Sequence, residues 1–472
     1  RDSGGGSLAD PLLRLRDSAG NIIASNLDGG FGRDAHLTHI AGSGGTYYLS
    51  VEAQTPNSND VGSYALSARN LGSGYQATPV SNVIPLSGSA TLDGLIQGSA
   101  WQFNGARVLT YSFNAVIEDG RVAGGPWSDA AKDAIREALL AWEAVANVSF
   151  VEVPGSTNIS DNTANIAFGH TGSYLYPAAG LGVFPSPVYV DQLLAEIGAN
   201  RAEYPRFEGD VVLDDHASEM QYLNPGDSGF WVGMHELGHA LGLKHPFDDG
   251  ANGRPTFLEL GISAKDIRVQ TTMSYDNPAS SLTEGYTATP MLLDIQAIQR
   301  LYGANASYHN TDNTYSLTDD GAVRTLWDTG GNDWLDATGL GSGIMLDLEA
   351  GSINPFGFQG SVVAIAYDVS IENARGGPGA DVLIGSASAN VLDGGLGADR
   401  LEAGAGNDTY VVDNHGDRIV ELNAEGADSV LASLSWALAP HLENLELIGA
   451  HTFSGTGNAQ ANVLTGNAAG NR

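Results

Sequence analysis

The chain has 472 residues, enough for two or three domains and a sizeable core. It holds no cysteine, which excludes a disulfide framework and thiolate chemistry. Its 55 acidic against 21 basic residues leave a net charge of −34, a surface that disfavours nucleic acid and anionic membranes and favours divalent cations.

No run of 18 apolar residues suggests a membrane span. The chain starts at Arg1 without a charged-then-apolar leader, as a processed or trimmed chain would. Residues 1–72 read as all-β. Short alternating stretches at 12–15, 22–24, 35–40, 46–51 and 63–67 are separated by Gly, Ser and Asp turns. A small β-sandwich is expected, and the segment resembles the pre-peptidase C-terminal domains of secreted bacterial peptidases. Asp10, Asp17, Asp28 and Asp34 are either calcium ligands or solvated turn carboxylates. Residues 73–97, rich in Gly, Ser, Pro and Thr, read as a linker.

From residue 98 to 305 the pattern becomes mixed. Residues 107–113 read as a strand. Ser128 is placed as an N-cap, followed by Ile135, Ala138, Leu139, Trp142 and Ala146 at helical spacing. Trp142 is expected in the core. Further strands are expected at 148–153, 166–168 and 211–213. The run Gly226-Asp-Ser-Gly229 has the look of a serine-peptidase nucleophile turn, but Phe230 follows it and Ser228 is better read as a helix cap.

The stretch Trp231–Pro246 reads WVGMHELGHALGLKHP, which contains H-E-x-x-H-x-x-G-x-x-H. On a helix His235 and His239 project from one face, at the spacing of two nitrogen ligands on one zinc. Glu236 is turned about 100° away and can reach a metal-bound water without ligating. Gly242 is the expected helix stop, letting the chain reverse and bring in His245. Three protein ligands leave one open position, the arrangement of a catalytic zinc. Chance coincidence of these five positions is expected on the order of once in 10,000 sequences or fewer. Downstream lies Thr271-Thr-Met-Ser-Tyr-Asp276, a methionine turn in the metzincin pattern.

With these motifs, and with Leu109–Phe113, Ala141–Ala146 and Leu293–Asn305, the chain resembles the serralysin family of secreted bacterial zinc peptidases over roughly residues 98–410. The resemblance implies that Met273 lies beneath the zinc. It implies that Tyr275 ligates zinc or swings away to stabilise the oxyanion. It places residues 180–184 as the edge strand that pairs with substrate. It further implies an extracellular, monomeric enzyme acting on proteins or peptides, with a proteinaceous inhibitor among its partners.

Beyond Asn305 the character changes. Four nonapeptides run in register: Gly376–Ile384, Gly385–Asp393, Gly394–Glu402 and Ala403–Val411. This is the calcium-binding β-roll repeat, in which two units make one coil and turns 18 residues apart stack. Asp381 is expected over Asp399 and Asn390 over Asp408. The turn glycines Gly376, Gly377, Gly379, Gly394, Gly395, Gly397, Gly404 and Gly406 are expected to expose carbonyls to calcium. Ser386, Ser388 and Ala403 break the pattern in the second and fourth units. By family resemblance, Asp312, Thr314, Asp328, Gly330, Gly331, Asp333 and Glu372 add further calcium ligands. A weak repeat at Gly457–Thr465 follows, without the family's short apolar tail.

The expected whole is multidomain α+β: β-sandwich 1–72, linker 73–97, metzincin-type zinc peptidase 98–305 and parallel β-roll 306–472. Two other functions remain open. One is a calcium-binding surface or adhesion protein with a vestigial peptidase site. The other is a carbohydrate-binding protein led by the N-terminal domain.

Overall fold

The structure is a computed structural model; it describes residues 11–27, 46–53, 76–81, 83–114, 127–155, 164–171, 179–202, 204–214, 218–248, 253–276 and 285–471. The fold divides into two units, Arg1–Pro278 with Tyr286–Asn305, and Ala279–Gly285 with Ala306–Arg472.

The first unit opens with β1 (Pro11–Arg16), β2 (Ile22–Leu27) and β3 (Tyr48–Ala53), an antiparallel sheet in the order β2-β1-β3. Asp17 closes the β1–β2 turn by accepting the backbone N–H groups of Ala19 and Asn21, both at 2.9 Å. That is the turn-carboxylate alternative for this residue. The stretches 35–40 and 63–67, with Asp10, Asp28 and Asp34, lie outside the described residues. Among the described residues of this segment there is one sheet layer, not the two of a sandwich.

Residues 73–97, expected as a linker, hold β4 (Gln76–Val80) and α1 (Ala90–Leu95). β4 pairs antiparallel with β5 (Ala100–Asn104). Small polar residues dominate this stretch and hide its anchor, Leu95 and Ile96, which are fully buried. The end of α1 runs against the turn that carries His245. Lys244 N–H donates to Leu95 O at 2.7 Å, and Gln97 N–H to Gly242 O at 2.9 Å.

β6 (Val108–Phe113), β7 (Ser149–Glu152), β8 (Ile166–Thr171), β9 (Gly180–Gly182) and β10 (Val211–Asp214) form the main sheet, ordered β7-β6-β8-β10-β9. Every pairing is parallel except that of β9, which runs antiparallel at the edge. Between β6 and β7 comes α2 (Asp129–Val145). Ser128 caps it as expected, its hydroxyl accepting from Ala131 N–H at 3.1 Å. Its apolar stripe of Ile135, Ala138, Leu139, Trp142 and Val145 is buried, as period 3.6 requires. A further helix, α3 (Pro187–Ile197), precedes β10.

The zinc-motif helix is α4 (Ser228–Ala240), and Trp142 of α2 donates its indole N–H to Met234 O at 3.2 Å. Asp227 occupies the N-cap position expected of Ser228. Its backbone is extended while its carboxylate turns back to accept Asn224 N–H at 3.0 Å, so Ser228 is already helical. The unit ends with α5 (Leu292–Tyr302), whose Tyr302 hydroxyl donates to Leu241 O at 2.7 Å.

The second unit is wound from short strands. From Asn373–Arg375 to Arg418–Ile419, successive strands fall alternately into an eight-stranded and a four-stranded parallel sheet, and beyond them Trp436–Ala437 and Gly455–Thr456 pair in a two-stranded sheet of their own. Strands Val382–Ile384 and Arg400–Glu402 pair in one, Val391–Asp393 and Thr409–Val412 in the other. Two strands therefore make one coil, and from Asn373 to Ile419 the register is 18 residues. The three-residue strands of the repeats each point their central residue inward, and Leu392, Tyr410, Val430 and Leu445 stack as a fully buried column.

Candidate metal centre

His235 and His239 are both buried on the face of α4 that His245 closes. The chain reverses at Gly242, whose φ of +104° suits glycine alone and whose added Cβ would meet Ser99 O at 2.6 Å. This reversal brings His245 Nε2 to 2.9 Å from His235 Nε2 and 3.1 Å from His239 Nε2. Every Nδ1 is committed elsewhere. His235 Nδ1 faces Thr272 O at 2.9 Å, His239 Nδ1 faces Leu243 O at 2.8 Å, and His245 Nδ1 faces Asp248 Oδ2 at 2.6 Å. These oxygens only accept, so each Nδ1 carries the proton and each Nε2 presents a lone pair.

Burial, reinforced by His245, pushes His235 down to about 3 and His239 well below its usual value, so both rings are neutral near pH 7. Three lone pairs converging within 4.8 Å of one another repel unless a cation sits between them. The donor set thus fits zinc, and the Nδ1 acceptors are the outer partners such a site needs.

Glu236 lies beside this point. Its carboxylate accepts from Gly182 N–H, and burial pushes its carboxyl up to about 8. A cation held by the histidines would favour the ionised form again. The edge strand β9 crosses α4 at this place through glycine. A Cβ on Gly182 would lie 2.2 Å from Glu236 O, and one on Gly180 would lie 2.9 Å from Glu236 Oε1. Replacing Gly182 by alanine is expected to cost about 1–3 kcal/mol as overpacking, read by denaturant unfolding. An unchanged midpoint would show that β9 can move off α4.

Met273 is fully buried beneath the helix, and a Cβ on Gly238 would come within 2.5 Å of its sulfur. Tyr275 stacks on His235, with ring centroids 5.3 Å apart, and lies 4.8 Å from His245. Desolvation, then the charges of Glu236 and Asp248, push its hydroxyl up to about 12, so it remains an O–H donor. The methionine turn is held by Asp294 at the start of α5. This buried carboxylate accepts from the Thr271 hydroxyl at 2.5 Å and from the N–H groups of Thr272 at 2.6 Å and Met291 at 2.9 Å. Thr272 O is the acceptor of His235 Nδ1, so Asp294 orients that ligand through one residue.

In the second unit the expected stacks are present. Asp381 N–H donates to Asp399 Oδ1 at 2.8 Å, and Asn390 N–H to Asp408 Oδ1 at 2.7 Å. Asp333 likewise accepts Asn313 N–H at 2.7 Å, and Glu372 accepts Asp333 N–H at 2.9 Å. Asp312 accepts Asn332 N–H at 2.9 Å, and Asp328 accepts Gly330 N–H at 2.7 Å. Thr314 begins the strand beside Trp334. Asp333, Asp399 and Asp408 each spend one oxygen on backbone, and among the described residues their buried Oδ2 atoms find no hydrogen-bond partner. Buried unpartnered carboxylate oxygens call for a cation, and hard oxygens suit calcium. Gly395 and Gly397 adopt φ of +74° and +155°, conformations that suit glycine and let the turn backbone approach the coil before it.

Reading by repeat alone missed Glu421 and Asp428. Their carboxylate oxygens and that of Asp408 lie within 4.8 Å of one another. The signal available for them was the acidic run Glu421, Glu425, Asp428 placed just past the last repeat.

Comparison with known families agrees with both halves. Residues 101–270 match the family described as Matrixin, and residues 293–461 match Peptidase M10 serralysin C terminal. A serralysin of Photorhabdus laumondii is 33% identical over 309 residues, 59% of this chain and 58% of the relative. Serralysin C of Dickeya chrysanthemi is 32% identical over 308 residues, 60% of this chain and 61% of the relative. A serralysin of Proteus mirabilis is 31% identical over 277 residues, 54% of each chain. The chain thus spans roughly three fifths or less of the curated relatives it matches. The chain is thus similar to a matrixin domain and, after it, to a serralysin C-terminal domain.

Proposed function

We propose that this protein is a secreted zinc-dependent endopeptidase whose C-terminal unit binds calcium. The observation that carries the reading is the convergence of three Nε2 lone pairs, every Nδ1 being spent, with the Glu236 carboxylate alongside. His235, His239 and His245 would hold zinc, with Tyr275 as a further ligand or donor. Zinc, when bound, supplies a Lewis acid that polarises the scissile carbonyl and lowers the pKa of water toward neutrality. Glu236 accepts the proton of the attacking water and passes it to the departing amine. The Tyr275 O–H donates to the oxyanion of the tetrahedral intermediate. The outer edge of β9, last in its sheet among the described residues, pairs with an extended substrate backbone.

The calcium ligands we assign are those expected from the repeats and the family resemblance, together with Glu421 and Asp428. Protein or peptide substrates, a proteinaceous inhibitor and a monomeric state complete the reading. Among the described residues no helix is long and apolar enough to cross a membrane. For residues 1–72 the antiparallel strands β1–β3 supply one layer of the proposed β-sandwich. A calcium-binding protein with a decayed site is disfavoured, because every group the chemistry needs is in place.

Zinc content with casein hydrolysis, measured with and without a chelator, tests the reading. Stoichiometric zinc and chelator-sensitive hydrolysis are expected, and zinc-free protein that still cleaves casein would refute it. Tyr275→Phe should retain zinc and lower kcat about 10²–10³-fold, the usual loss for one oxyanion donor. An unchanged kcat in steady-state assays would remove Tyr275 from the mechanism.

A further inference from the structure

His235 and His239 ride on a helix, but His245 sits on an irregular turn after Gly242. Its partner Asp248 is on the same turn, with a side chain 43% exposed. An exposed carboxylate ordinarily samples several rotamers and would hold a ring poorly. Something must fix the turn.

Lys244 is fully buried, which is rare for lysine unless its ammonium is paired. Its ammonium points along the turn. Nζ donates to Asp248 O at 2.6 Å and to His245 O at 3.1 Å. Both carbonyls of the turn that carries the ligand and its partner are therefore tied to one buried charge. The same charge acts on Asp266, which accepts the Ser274 hydroxyl at 2.6 Å. Ser274 lies between Met273 and Tyr275.

We propose that Lys244 is a positioning residue of the metal centre, fixing the His245–Asp248 turn so that the Asp248 carboxylate is presented to His245 Nδ1. Lys244 touches neither metal nor substrate. It acts through the turn: the ammonium sets the backbone, the backbone sets the carboxylate, and the carboxylate sets the ring plane and tautomer. This inference rests on the zinc-peptidase reading. Loss of an outer partner of a zinc ligand typically weakens the metal by about 10–100-fold.

The test uses the full chain with Lys244→Met, Asp248→Ala and the double substitution. Zinc dissociation constants are measured by competition with a chromogenic chelator, and near-ultraviolet circular dichroism checks the fold. Should Lys244→Met not fold, Lys244→Gln, whose shorter side chain cannot reach both Asp248 O and His245 O, is measured in its place. Each single substitution is expected to weaken zinc by about 10–100-fold, and the double by no more than the stronger single. Activity lost at limiting zinc should return when free zinc is raised above the new dissociation constant. Wild-type zinc affinity in a folded Lys244 variant would overturn the proposal, as would effects that add fully in the double. A wild-type chain that takes up no zinc would instead overturn the peptidase reading.

Discussion

Glu236→Gln is expected to lower kcat for a peptide substrate by about 10²–10⁴-fold, the range of one general acid–base group, while one zinc per chain remains bound. Glutamine matches the shape of glutamate and can still accept the Gly182 N–H, so β9 and α4 should stay in place. What is lost is the basic oxygen that takes a proton from water. The three imidazoles keep their Nδ1 acceptors, none of which is Glu236. Zinc analysis by mass spectrometry and steady-state kinetics on the same preparation separate the two effects. Turnover near that of the parent chain would mean that another group moves the proton.

Calcium withdrawal should produce the largest structural effect, and its size should depend on pH. Burial holds Asp399 and Asp408 up to about 6, Asp333 up to about 7 and Glu421 up to about 8, with neighbouring carboxylates adding to the rise. A carboxyl held above its unfolded value binds its proton more tightly in the folded state. The calcium-free unit therefore keeps this contribution below about pH 4. It loses the contribution as pH rises through 6 to 8, the folded values. Calcium competes with protons for the same oxygens, so its half-saturation should fall across the same window. Circular dichroism melts of the full chain in chelator at pH 5 and pH 8.5 are expected to show the lower midpoint at pH 8.5, and calcium should remove the difference. A calcium-free chain that melts higher at pH 8.5 would contradict the confinement of these carboxyls.

What could be read from the sequence was what the chain writes locally. The zinc motif is legible because two ligands and the base share one helix and the third follows a glycine. The coils are legible because one register repeats four times. Other parts of the site are set by packing between distant segments. Leu95 and Ile96 stand in a stretch that reads as linker, yet they brace the turn of His245. Gly182 looks like any strand glycine until α4 is laid across it. Lys244 reads as a solvated charge, since lysines usually are, and only its burial shows otherwise. Asp294 lies 22 residues past Thr272, with no pattern linking them.

The two units also differ in how far along the chain their partners lie, and this sets an order of events during synthesis. In the coils a strand meets its neighbour 18 residues later, so each new coil can close on the one before it. The metal centre has no such shortcut. Trp101 N–H donates to the Tyr302 hydroxyl across 201 positions, and that hydroxyl in turn donates to Leu241 O beside the zinc turn. Closing a loop of that length costs roughly 2 kcal/mol more than closing one of a single coil. A growing chain that has reached Pro246 thus already contains all three histidines but not the clasp that seats them. Assembly of the metal centre has to wait for residue 302, whereas each coil needs only the coil before it.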